Sequence, residues 1–106
     1  MGVGIRVIER REKYARLVNA ELVKEQSLTL DTEGRQFLEA HGSSSVATTF
    51  HLDASPDNIT WINDIRIWTD VMRFDWGGGN AYRFVRLRSD AAGTERDRVT
   101  LVLTSM

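Results

Sequence analysis

Apolar residues that recur at every second position constrain this chain more than anything else in it. Between 46 and 52, Val46, Thr48, Phe50 and Leu52 fall on one face of an extended segment, and Val99, Leu101 and Leu103 do the same near the C-terminus. A two-residue period suits a half-buried strand and cannot keep a helical stripe on one side. Ahead of Gly34 the rhythm differs: the segment is polar and roughly helix-periodic. The pattern predicts an all-β fold, a β-sandwich or jelly roll, with an N-terminal extended arm and room for one short helix.

At 106 residues the chain can build one core but not two. Lys and Arg total 14 against 15 Asp and Glu, a net charge of −1, which removes any overall electrostatic pull toward nucleic acid or an anionic membrane. No cysteine is present, so neither disulfides nor thiolate metal sites can hold the fold, and burial or assembly must do so. The N-terminal residues lack the apolar stretch of a signal peptide, and no apolar run is long enough to span a bilayer. Arg6 stands where a myristoylation signal needs Ser or Thr.

The expected organisation is an arm with a short helix or turn over 1–33 and a β-sandwich domain over 34–106. In the arm, Val3, Ile5 and Val7 alternate as an edge strand would, suited to pairing with another chain. Residues 10–24 read either way: Tyr14, Leu17, Val18 and Leu22 are nearly helical in spacing, whereas Val18, Asn19 and Val23 weaken a helix. A short helix or turn is expected to end at Gly34, which accepts positive φ. Five strands are expected after it, over 35–40, 46–52, 59–69, 82–88 and 98–104, separated by turn-type clusters at 41–45, 54–58, 77–80 and 90–93. Within 59–69, Trp61, Ile65 and Trp68 are expected in or at the lip of the core, and the parity change between Phe84 and Val85 predicts a bulge.

Each chemical motif has a plainer explanation. His41 and His51 lack the further ligands that a zinc site needs. Asp53 to Asp64 matches the length of a calcium loop, but Asn58 replaces its glycine and Asp64 its bidentate Glu, so an Asx-type turn between strands accounts for the same residues. Asp70, Arg73 and Asp75 read as solvated loop charges. The run Gly77-Gly78-Gly79 lacks the Lys-Ser/Thr of a phosphate loop and reads as a hairpin connection. Trp68, Phe74, Trp76 and Tyr82 gather around that run, with Trp76 expected to dock on a neighbour. Arg83, Arg86 and Arg88 form a basic stripe with acidic neighbours, fitting a subunit contact better than nucleic acid. The residues expected in protein contact are therefore Val3, Ile5, Val7, Trp76, Arg86 and Arg88. No catalytic, cofactor or metal residues are assigned.

The stretch 15–63 is similar to short virion proteins of tailed bacteriophages, of the head-decoration, head-fibre and accessory type. The likeness rests on Ala15-Arg16-Leu17-Val18-Asn19-Ala20, on the polar Lys24-Glu25-Gln26-Ser27 leading to Gly34, on Arg35-Gln36-Phe37-Leu38, and on Thr60-Trp61-Ile62-Asn63, where members often carry a Tyr-Leu-Lys-Asn-like run. The resemblance implies a non-enzymatic virion structural protein made in the host cytoplasm, with an arm and a sandwich seated on the particle. Its expected partners are itself, as a homo-oligomer such as a trimer, and other virion proteins, with no nucleic acid, membrane or cofactor. Two rivals stand beside it: a carbohydrate-binding sandwich using Trp68, Trp76 and Tyr82, and a small α+β enzyme or regulatory subunit.

Overall fold

A computed structural model describes residues 13–106. The contact residues expected at Val3, Ile5 and Val7 lie outside these residues. The chain is all-β, with six antiparallel strands and no helix among the described residues: β1 (Lys13–Glu21), β2 (Gln26–Asp31), β3 (Phe37–Ser55), β4 (Ile62–Gly79), β5 (Phe84–Ser89) and β6 (Arg98–Ser105). The sheet runs β1-β6-β3-β5-β2, with β4 along the remaining side of β3. β3 organises the fold, pairing with β6 over residues 38–44 and with β5 over residues 50–55. Between these stretches its register against β4 breaks, where Ser43 opposes Arg73 but Thr48 opposes Val71. Extra residues on one strand bend and twist a ribbon, and the bend carries β3 and β4 from the β1-β6 half to the β5-β2 half. The result is sandwich-like and nearly closed.

The alternating residues meet between the halves. Leu38, Phe50 and Leu52 of β3, Val85 and Leu87 of β5, and Val99, Leu101 and Leu103 of β6 are all buried. Together they form one core, each large side chain contributing roughly 1.5–3 kcal/mol by leaving water.

Several sequence expectations need correction. The front segment is not helical, and residues 13–33 belong to the sheet: β1 pairs with β6 and β2 with β5. The helix-like spacing has a local cause. Asn19 has φ 55° and sits in a register break between Leu17 and Ala20, so the inward set Ala15, Leu17, Ala20 and Leu22 is spaced two, three and two, while Tyr14 and Val18 face solvent. At Gly34, φ is +82°, as its position suggested, but it closes a turn between strands. The expected strands over 35–40 and 46–52 are one strand, because 41–45 stays paired with β4 or β6 as far as Ser44. Gly77-Gly78-Gly79 is no hairpin loop but the end of β4, opposite Glu39, Leu38 and Phe37. β5 also has no bulge between Phe84 and Val85, since its register is continuous against both β2 and β3. Its parity change instead places Phe84 on the outer face, beside Arg83 at 5.5 Å.

The true hairpin connection between β3 and β4 is the Asx-type turn. Asp57 Oδ1 accepts the backbone N–H groups of Ile59 and Thr60 at 2.9 and 2.8 Å, and Ser55 Oγ accepts those of Asp57 and Asn58. The amide bonds from Thr60 and Ile59 hold the Asp57 carboxyl below its ordinary value.

Candidate functional site

Two constellations stand out, a polar cluster on β3 and β5 and the free edge of β4. In the first, the Asp53 side chain is fully buried and lies beneath two arginines. Arg86 Nε donates to Asp53 Oδ2 at 2.8 Å; Arg88 donates through Nε to Oδ2 at 2.6 Å and through Nη2 to Oδ1 at 3.1 Å. The Asp64 backbone N–H also donates to Asp53 Oδ1, at 2.9 Å. Burial pushes the Asp53 carboxyl up, but the bonds from Arg88, the Asp64 amide and Arg86 outweigh it and hold the group below its ordinary value. Asp53 in turn raises Arg88.

The cluster extends outward. Asp64, at φ 58°, accepts Arg88 Nη2 at 3.0 Å and lies 2.7 Å from His51 Nδ1, while His51 Nε2 is 3.0 Å from Asp90 Oδ1. A neutral imidazole has one N–H, so both contacts are hydrogen bonds only when the ring carries two protons. Arg86 also donates to Asn63 at 3.1 Å and lies 4.1 Å from the Trp61 ring centroid. These groups tie β3, β4 and β5 together, and the two arginines pair the one fully buried charge, Asp53, as burial of a carboxylate requires. Arg86 and Arg88, expected in protein contact, are thus committed to Asp53. Trp61 is half-buried beside Arg86, outside the core cluster, whereas Ile65 and Trp68 pack against it. Among the described residues no group of three or more His, Asp or Glu is placed to hold a metal ion.

The second constellation is backbone. β4 pairs only with β3, and no strand lies on its other side among the described residues. Its hydrogen-bonding phase follows from two observations. Asn80 N–H donates to the Gln36 carbonyl at 2.7 Å, and Phe37 exchanges both of its backbone bonds with Met106, away from β4. Antiparallel pairs alternate between bonded and non-bonded, so the amides and carbonyls of Asp75, Gly77 and Gly79 point away from β3, toward the free edge. Nothing lies within 4 Å of where a Gly79 Cβ would sit, and Gly77 has only ordinary contacts there. Alternate glycines leave the strand flat enough for a second backbone to approach.

A groove of about 580 Å³ opens beside this edge, lined by Gln36, Leu38, Ile65, Trp76, Asn80 and Tyr82, among others. Trp76 is half-buried on its wall, edge-on to Trp68 at 6.5 Å and 5.6 Å from the Arg66 guanidinium. Asn80 fixes the groove's end, donating to the Arg35 and Tyr82 carbonyls at 3.1 and 2.7 Å and accepting from the Tyr82 N–H. Sequence reading singled out Trp76 and Tyr82 and placed Ile65 in the core, but gave no sign that Leu38 and Ile65 line one groove with them, which only the folded sheet brings about. The available signal was glycine at alternate positions 77 and 79.

The remaining sites scatter. His41 lies 2.7 Å from Asp75 Oδ1 on the outer face, beside Arg73 in a small polar hollow. Asp70, at φ 56°, sits in the bend of β4. Arg83 is paired with Asp31. Exposed apolar side chains follow β4 and its end, with Ile67 50%, Met72 52% and Phe37 60% exposed. Comparison with protein-family models and with curated proteins finds no match for this chain. No helix among the described residues is long and apolar enough to cross a membrane.

Proposed function

We propose that this chain is a non-enzymatic structural protein that works by assembling with copies of itself, and that its setting is the one its sequence resemblance implies, the particle of a tailed bacteriophage. The observation that carries the assembly reading is the free edge of β4, where the backbone groups of Asp75, Gly77 and Gly79 face outward from a strand of 18 residues. The open edge beyond the bend, with exposed Ile67 and Met72 elsewhere on the same strand, invites another strand. The polar cluster supports a structural role, since Asp53, Arg86, Arg88, Asp64 and His51 are occupied with one another across three strands. Other virion proteins as partners, and the particle as location, rest on the resemblance alone.

One observation favours the carbohydrate-binding rival: Trp76 and Tyr82 line the same groove. Against it, the Trp68 ring is stacked face to face on Phe74 at 3.9 Å, so three rings do not form a common platform.

Light scattering on the purified chain tests the assembly reading. The intact chain is expected to run as an oligomer and Gly77→Pro as a smaller species with its sheet circular dichroism intact, because proline removes an outward amide that β3 does not use. A monomer at every concentration would overturn the reading. Oligosaccharide binding that quenches tryptophan emission and disappears in Trp76→Ala would put the rival first.

A further inference from the structure

We infer that the free edge of β4 receives the N-terminal segment of a second copy, with residues 3–7 adding as a strand along residues 75–79. This rests on the assembly reading and names its occupant. The chain outside the described residues is twelve residues long, spanning at most about 40 Å when extended. Its alternating Val3, Ile5 and Val7 would turn one apolar face toward the groove of Leu38, Ile65 and Trp76, while the other face stays polar at Arg6. Two sides of the match are therefore present, outward backbone groups with an apolar groove beside them, and an alternating segment of suitable length.

The place where that segment begins favours a second copy over the chain's own arm. Lys13 opens β1, pairs with Ser105 and is bridged to Glu33 at 3.2 Å. In the sheet, β1 is separated from β4 by β6 and β3. To reach its own β4 the charged run Glu9-Arg10-Arg11-Glu12 would have to cross the ends of those strands, over the exposed Phe37 ring. An arm from a neighbour meets the edge with that run left in water, and repetition of the contact links copies head to tail or closes a ring.

The absence of native cysteine makes the test direct. Chains carrying Gly4→Cys or Arg6→Cys, the arm positions that would share the face of Gly79 when Val3, Ile5 and Val7 face the groove, are mixed in turn with a chain carrying Gly79→Cys, whose new side chain has open space, and oxidised gently. At least one pair is expected to give a disulfide-linked dimer at about tenfold or more the yield of the same arm chain with a Glu95→Cys control, reflecting effective concentration at the edge. Yields equal to the control would overturn the inference, and so would a chain carrying both Arg6→Cys and Gly79→Cys that closes on itself as a monomer. The outcomes separate the two readings. If the intact chain is oligomeric yet cross-linking fails, the arm is wrong and assembly stands. If the intact chain is monomeric, both fall.

Discussion

Trp68 and Phe74 lie six residues apart on one strand, yet their rings stack at 3.9 Å with planes 14° apart. A straight strand would separate them by about 20 Å. The bend at Asp70, with φ 56°, brings them together, and Phe50 of β3 packs on Phe74 at 5.0 Å. This aromatic stack fills the β4 side of the core, where the two halves have no further strand between them.

Phe74→Ala is therefore expected to cost about 3–5 kcal/mol, the range for a large buried ring, and to flatten the near-ultraviolet circular dichroism. Trp61→Ala should cost only about 1 kcal/mol, since Trp61 is half-buried and its main contact is with the Arg86 guanidinium. Urea titration of both variants checks the contrast, and equal losses would place Trp61 in the core after all.

Gly42 supports the same stack from below. A Cβ there would run into the Phe74 ring and stand 2.9 Å from Cε1 of Phe50. Gly42→Ala is expected to destabilise by about 1–3 kcal/mol through overpacking. Pairing it with Phe74→Leu should recover part of that loss in a double-mutant cycle, whereas strict additivity would deny the contact.

What was legible in the sequence follows from these elements. Strict alternation at Phe50 and Leu52, or at Leu101 and Leu103, survives in the fold because no irregularity interrupts it there. Where a residue takes positive φ inside a strand, parity shifts and the pattern misleads. Asn19 made β1 look helical, and Asp64 and Asp70 hid the faces of β4, leaving Ile62 and Ile67 exposed while Ile65 and Trp68 turn inward. The glycines misled differently. Gly42 and Gly77 to Gly79 read as turns by composition, although close ring packing at Gly42 and a flat edge at Gly77 and Gly79 are equally good reasons for a strand to lack a side chain. The Asp53 cluster is invisible as a unit in the sequence because Asp53 and His51 come from β3, Asp64 from β4, and Arg86 and Arg88 from β5.

Asp53 should make stability depend on acid. Its carboxyl lies below the ordinary value of 3.8 in the fold, so the unfolded chain binds the proton more readily. The stabilisation from this group is fully present above about pH 4 and is lost as pH falls through the lower folded value. Asp53→Asn should remove that part of the acid dependence while lowering stability at neutral pH. Asp53→Ala should cost roughly 3 kcal/mol, the lower end for a broken buried pair, because Arg86 and Arg88 can turn partly to water. Denaturation curves between pH 2 and 7 distinguish these outcomes, and an unchanged acid slope in Asp53→Asn would show that other carboxylates govern it.

The three tryptophans report different places, which gives assembly an optical readout. Trp68 is stacked on Phe74 and Trp61 sits by Arg86, so neither environment depends on the free edge. Trp76 alone lines the groove. In a chain carrying Trp61→Phe and Trp68→Phe, emission is expected to shift to shorter wavelength and acrylamide quenching to fall as concentration drives assembly, because a strand laid along β4 shields the ring from water. Adding Gly77→Pro should abolish the shift without changing emission in dilute solution. If quenching stays constant while light scattering records growing mass, copies associate through another surface, and the exposed outer face bearing Tyr14 and Val18 becomes the place to look.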